Sequence, residues 1–486
     1  MFFPLNGQLF TYGDVEVTYL DNSGVIRADG KIAGYFMVYS RRLRGRDREI
    51  VLKLLDAELN ELSEKTYLES DRFEIRSVAY SNGLLGVETG ETKFLNGSKK
   101  LTLFDNKAEL VREVELPVNP FDSQLAGEFA EPFRSTTLIS VANGFLAVDL
   151  KMAAQGIIAR VGYNITHIPA DTTMLGWTVE SSAEDKLHQG AIYLASDENT
   201  AVFGIFKRKG NMSKTYAMDI LAIDLNTGEK LFTYETEAGG LPVRYLTGRI
   251  INGQITLVGQ NTGQKARLYT DAPDGVNIIK LTRSGEVIKK ASFNFQQDLA
   301  THFDIKQSGK IKGMGHLLIH DIGITKDERI LIAAEFYRTG MGKISIRDGL
   351  LMQLSPDLEM DALKLVEKGS TSMRKLGGNA GSATNSPALT GTLAKLQGMF
   401  DFALLDEKED HVISAYFSGR SEVWKNRTIS LYLNSLIDGK LVEDKLTFDS
   451  RTDMVRVLPG KPGFVMVIEY DSKEKTIVTR LERLRL

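Results

Sequence analysis

A short apolar strand, a tight polar turn and a second strand follow one another from Thr215 to Thr236, TYAMDILAIDLNTGEKLFTYET, and the scheme returns at least six more times along the 486 residues. Met218 to Ile223 gather Met, Ile, Leu, Ala and Ile into one run, and after Asp224-Leu225-Asn226-Thr227-Gly228-Glu229 a second run begins at Leu231-Phe232. Asp and Asn side chains hydrogen-bond to backbone two residues on, and Gly takes positive φ without steric cost, so the hexapeptide closes an antiparallel hairpin. One hairpin cannot bury its own apolar face. Repeated hairpins must therefore stack against each other.

Taken in order, the strands group into fours. The first unit runs from Gly24 to Ser70 through GVIRADGK, IAGYFMVYS, EIVLKLLD and ELNELSEKTYLES, and the second from Ile75 to Pro117. A less regular third unit lies between Ser135 and Glu180, a fourth runs from Gly190 to Thr236, and a fifth from Arg249 to Phe295. The sixth spans Leu317 to Gly369 and the seventh Met399 to Phe448. What remains, Asp453 to Leu484, holds three strands, one short of a unit. The segment Gln8 to Asp21 alternates like a strand, and if it supplies the missing one the ring closes and the terminal edges vanish. The expected fold is all-β: a single β-propeller domain over residues 1–486 with eight four-stranded blades, seven being the alternative, closed by the N-terminal strand. Hairpin turns are expected near Asp56, Asp105, Asp224, Ser284, Pro356 and Ile437. Loop insertions are expected near 296–316 and 370–398, the second rich in Gly, Ser, Thr and Ala and read as a mobile loop or lid.

Composition excludes several functions. A formal net charge of -3 and a pI near 6.2 create no field that would recruit nucleic acid. Without cysteine the chain has no disulfide, thiolate nucleophile or zinc ribbon. No apolar run of the ~18 residues a membrane helix needs occurs, so no membrane span is expected. The opening MFFPLNGQLF has neither a basic n-region nor an apolar h-region, so either the protein is cytosolic or a leader has been removed.

The DLNTG turn is similar to blade turns of quinoprotein-like propellers, but with only Trp177 and Trp424 in the chain their tryptophan pattern is missing and no cofactor is expected. A closer resemblance lies in DGKIAGYFMVYS, EIVLKLLDAELNELSEKTYLES, IRSVAYSNGLLGV and LLIHDIGITKDERILIAAEFY, which resemble an exported bacterial family of unknown function, DUF6770. That resemblance brings no known active residues. It implies a periplasmic or extracellular setting with the leader removed.

Chemistry-bearing residues are sparse. His316 and His320, with Asp321, form the one local histidine cluster; in a strand, four residues span ~13 Å, too far for a single ion, so no metal is expected. The strand holding them is read as innermost, where propellers commonly bind ligands, so His316, His320, Asp321, Glu335 and Arg338 are pocket candidates, against the alternative of a salt-bridged strand edge. Arg41, Arg42, Arg44, Arg46 and Arg48 fall within eight residues between two strands. Guanidinium forks at that density suit phosphate, sulfate or a polyanion, and the alternative is a solvated hairpin tip. With no G-x-S-x-G elbow, α/β-hydrolase chemistry has no anchor. The functional expectation is a non-catalytic binding scaffold with an unknown protein or glycan partner. The competing expectation is a channel-centred hydrolase or lyase acting on a glycan or peptide.

Overall fold

The computed structural model describes residues 9–15, 22–28, 31–42, 47–91, 98–116, 138–154, 160–182, 187–208, 217–236, 243–261, 272–306, 310–340, 343–368, 371–374, 402–408, 412–423, 426–437, 440–450, 454–461 and 463–484. Strand β1 (Leu9–Tyr12) is followed by β2 (Ser23–Ala28), β3 (Lys31–Arg42), β4 (Asp47–Asp56) and β5 (Glu61–Ser70), which pair in sequence order as one antiparallel sheet. The pattern repeats in β6 (Phe73–Ser81), β7 (Leu84–Glu91), β8 (Lys99–Phe104) and β9 (Leu110–Glu115). It repeats again in β10 (Leu138–Val141), β11 (Gly144–Ala154), β12 (Arg160–Pro169) and β13 (Trp177–Glu180), and in β14 (His188–Ser196), β15 (Thr200–Arg208), β16 (Ala217–Asp224) and β17 (Lys230–Tyr234). Next come β18 (Val243–Ile251), β19 (Gln254–Asn261), β20 (Gly275–Leu281) and β21 (Val287–Asn294), then β22 (His316–Ile324), β23 (Ile330–Gly340), β24 (Lys343–Leu354) and β25 (Met360–Val366), with β26 (Thr371–Arg374) added to β24. The last groups are β27 (Phe402–Lys408), β28 (Val412–Val423), β29 (Asn426–Ile437) and β30 (Lys440–Ser450), and β31 (Met454–Pro459), β32 (Phe464–Asp471) and β33 (Thr476–Arg483).

The N-terminal strand closes the final sheet. β1 pairs antiparallel with β33 from Leu9↔Arg480 to Tyr12↔Ile477, and beyond it the Val15 amide donates to the Lys475 carbonyl at 2.9 Å while the Val15 side chain is fully buried. The first strand of each sheet adjoins a neighbouring sheet, and β2 meets both β6 and β31, so the sheets close a ring and the fold is a β-propeller of four-stranded blades. Removing residues 1–15 is expected to expose the β33 edge, lower the melting temperature and give concentration-dependent association in size-exclusion chromatography. A monodisperse truncate of unchanged stability would show that closure contributes nothing.

Core residues lie between sheets. One cluster joins Phe36, Val38 and Leu52 to Leu85 and Val87 of the following sheet; another joins Phe203, Ile205 and Ile223 to Leu146 and Ile165 of the preceding one. The cluster that seals the ring unites Tyr35, Met37 and Val51 with Met466, Ile468 and Leu481. Alternation explains this, because successive strand side chains point to opposite faces and a sheet covered on both faces needs apolar residues on both. Each fully buried Phe, Leu or Ile contributes ~1.5–3 kcal/mol from removal of apolar area from water.

Turns at one end of the ring are made by local polar chemistry. Asp56 Oδ1 accepts the amides of Glu58 and Asn60, Asp105 Oδ1 those of Lys107 and Glu109, and Asp224 Oδ1 those of Asn226 and Thr227, each at 2.8–2.9 Å. Thr282 and Ser355 hydroxyls do the same for Glu286 and Glu359. These are the turns expected near Asp56, Asp105, Asp224, Ser284 and Pro356; the one after Ile437 lies outside the described residues. Gly228 needs its φ of +77°, and a Cβ there would sit 2.8 Å from the Trp177 ring, whose Nε1 donates to the Leu225 carbonyl at 2.9 Å. Trp177 thus locks the DLNTG turn to the preceding blade.

No link at that end of the described sheets exceeds seven residues, the longest being 170–176. The opposite end carries 116–137, 262–274, 295–315 and 367–401 between its strands. The insertion near 296–316 is a folded element: α1 (Phe295–Asp298), N-capped by Asn294, and the Ile305↔Ile311 bridge place Phe295, Leu299 and Ile311 in the core. Of the insertion near 370–398, Thr371–Arg374 forms β26 and residues 375–398 lie outside the described residues.

Candidate functional site

β22 pairs with β23 from His316↔Tyr337 to Ile324↔Ile330, with a shift in register between Ile319 and Asp321 that places His320 at a bulge. A bulge of this kind re-aims the side chain of the extra residue. His320 Nε2 lies 2.7 Å from Glu335 Oε2, and Lys368, just beyond β25, forms an ion pair with the other carboxylate oxygen of Glu335. The side chains of His320, Glu335 and Lys368 are 3%, 0% and 1% exposed. Burial alone would push the Glu335 carboxyl up; the Lys368 ammonium and the His320 hydrogen bond outweigh it and hold the group below the usual carboxylate range. The carboxylate is thus charged at neutral pH and engaged on both oxygens. In this arrangement it braces the first and second strands to the end of the fourth.

The other pocket candidates have contacts of their own. Asp321 is half-buried, and its Oδ1 accepts the amide of Ile322 at 2.9 Å. His316 packs 5.9 Å from the Tyr337 ring, and burial, helped by the Lys310 charge, pushes its imidazole down to about 4. Arg338 is exposed. Of the five candidates the structure joins His320 to Glu335; the third member, Lys368, was not among them, since it lies 33 residues beyond Glu335 and meets it only through the pairing of β23, β24 and β25.

A second buried charge cluster was not anticipated. Lys99 Nζ, at the start of β8, lies 2.5 Å from Asp149 Oδ1 of the next sheet and 3.3 Å from Glu88 Oε1 of its own, with exposures of 5%, 3% and 0%. Two carboxylates share one ammonium. Desolvation pushes Glu88 up to about 7, opposed by Lys99 and reinforced by Asp149. A signal for this cluster was present in the sequence: in SNGLLGVE and ANGFLAVD the fifth residue after Gly83 and Gly144 is acidic inside an apolar run, Glu88 and Asp149 respectively.

The arginine run is partly described. Arg41 donates to the Tyr39 hydroxyl at 3.1 Å, lies over the Tyr39 ring and sits 3.8 Å from Glu64, while Arg48 donates to the Phe73 carbonyl at 3.2 Å. Arg42 belongs to β3, and Arg44 and Arg46 lie outside the described residues. Arg41 is thus tied within its own blade and Arg48 to the first strand of the next. Among the described residues, no group of three or more His, Asp and Glu side chains is arranged to hold a metal ion.

The model of a family of unknown function, DUF6770, matches residues 4–341 and 337–485. The chain belongs to the DUF6770 family. No curated protein sequence matches this DUF6770 chain. Among solved structures it is similar to a prolyl endopeptidase (TM-score 0.41, 9% identity), covering 94% of this chain and 55% of that one, so the chain spans about half the endopeptidase's length. It is also similar to the polysaccharide lyase Uly1 (TM-score 0.45, 10% identity, 84% of this chain and 89% of that one). A third similarity is to the β-propeller domain of the Trilobed protease from Pyrococcus furiosus (TM-score 0.40, 8% identity, 88% and 96%).

Proposed function

We propose that the protein is a non-catalytic binding scaffold, a ring of eight blades counted one per sheet, exported to the periplasm or cell surface, with a protein or glycan partner. The observation that carries this reading is the asymmetry of the two ends. One is held by short, side-chain-capped turns, and the other carries every long link between strands. Rigid sheets presenting long links are suited to recognition, which needs no catalytic group. The buried charges support it, since Glu335 and His320 are engaged with each other and Lys368 rather than open to a substrate.

The test is to incubate the full chain with panels of neutral and acidic polysaccharides and with a peptide library, following both product release and retention of the protein on the immobilised material. The expected result is retention without turnover. Cleavage or elimination products that disappear in the well-folded variants His320→Gln and Asp321→Asn would replace the scaffold reading by the channel-centred hydrolase or lyase. The proposed export rests on the resemblance of the first unit, the start of the second and the β22–β23 pair to an exported family. Cell fractionation of the full-length protein decides it, recovery in the cytosol alone being the contrary result.

A further inference from the structure

We propose that the cleft between the β22–β25 and β27–β30 sheets binds a neutral, hydroxyl-rich ligand of the saccharide class through Asn434. In the β29–β30 ladder Tyr432 stands opposite Lys445, Asn434 opposite Glu443 and Leu436 opposite Leu441. Directly opposed residues, and every second residue along a strand, share one face. Leu436, Tyr432 and Leu441 pack against Leu331, Leu351 and Val366, so this face looks at the neighbouring blade, and Asn434, between Tyr432 and Leu436, looks the same way.

A cleft of about 520 Å³ opens there, lined by Lys364, Glu367, Tyr432, Asn434, Glu443 and Lys445 among others. This is within the ~300–1,000 Å³ of small-molecule sites. Asn434 is 2% exposed, and its Oδ1 has no hydrogen-bond partner. A buried acceptor left unfilled is destabilising and uncommon, and here it calls for a donor from a molecule in the cleft.

The remaining lining narrows the ligand class. Lys364 is paired with Glu443, and the Lys445 ammonium lies 4.9 Å from the centre of the Tyr432 ring. Amines and carboxylates of the lining nearly cancel, so no strong field selects an anion or a cation. They offer both donors and acceptors, and hydroxyl groups answer both while also donating to Asn434. The cleft is on the flank between blades, and this proposal stands independently of the role given to the long links.

The experiment titrates the full chain with maltose, cellobiose and lactose, and with glycylglycine as a charged comparison, by saturation-transfer NMR and calorimetry. At least one disaccharide is expected to bind. Asn434→Leu should weaken that binding about tenfold, the loss of one hydrogen bond, and raise the thermal midpoint because the unfilled acceptor is gone. Lys445→Ala, at an exposed position, should weaken it severalfold, with stability changed by no more than the ~0.5–1 kcal/mol of its contact with the Tyr432 ring. The proposal fails if no disaccharide binds, if glycylglycine binds in their place, if both variants bind as the parent does, or if Asn434→Leu lowers the thermal midpoint.

Discussion

Lys99→Met is expected to destabilise the protein by roughly 3–5 kcal/mol, because removing one member of a buried ionic group leaves the rest uncompensated. The parent holds Glu88 and Asp149 against a single ammonium, all three side chains at most 5% exposed. Without Lys99, two carboxyls face one another across the interface between the β6–β9 and β10–β13 sheets. Chemical denaturation at pH 7.5 measures the loss. The triple variant Glu88→Gln/Lys99→Met/Asp149→Asn should recover most of it, since a neutral hydrogen-bonded group avoids the desolvation of charge. A loss below ~1 kcal/mol in the single variant would mean that water reaches the cluster.

The parent's own pH dependence follows from the same site. Glu88 is pushed up to about 7 by burial, against an ordinary value near 4.5, so between those values the folded chain holds a proton that the unfolded chain releases. Stability from this group is therefore fully present below the ordinary value and declines as pH rises through about 7. Glu88→Gln should flatten that decline. An unchanged slope would place the titration elsewhere. His167 works in the opposite sense: buried beside Trp177, it is pushed down to about 4, and stability is lost as acidification through the ordinary histidine range charges the unfolded chain first.

The second large effect is expected at Glu335. Lys368→Met should lower stability by ~3–5 kcal/mol at neutral pH, since Glu335 is fully buried and keeps only His320 as partner. Freed from the ammonium, the carboxyl should rise out of its depressed range, so the deficit should shrink on acidification as a proton replaces the lysine. Glu335→Gln alone should also destabilise, by removing the carboxylate that faces the Lys368 ammonium. The double variant should show a favourable coupling of ~2–3 kcal/mol in a cycle read by urea midpoints. Additive losses would refute a direct pair.

Much of this architecture is legible in local chemistry. The Asp56, Asp105 and Asp224 turns are determined within five or six residues, because the carboxylate and the amides it caps are neighbours in the chain. The alternation of the strands places apolar residues on both faces of each sheet, which implies stacked sheets. Even the closing strand is readable, as a supply of one strand where the last unit lacks one. What could not be read are the partners that come from other blades. Lys99 meets Asp149 50 residues on, and Lys368 meets Glu335 only after two strands have folded back.

The sequence by itself determined the strands, their turns and the polar residues placed in apolar runs, since each follows from propensity and period over a few residues. Only the tertiary structure decided which charges face each other and which are buried, that the insertion near 296–316 joins the core, and that Asn434 opens onto a cleft between blades. Those outcomes depend on the register and spacing of sheets far apart in the chain, which no local pattern encodes.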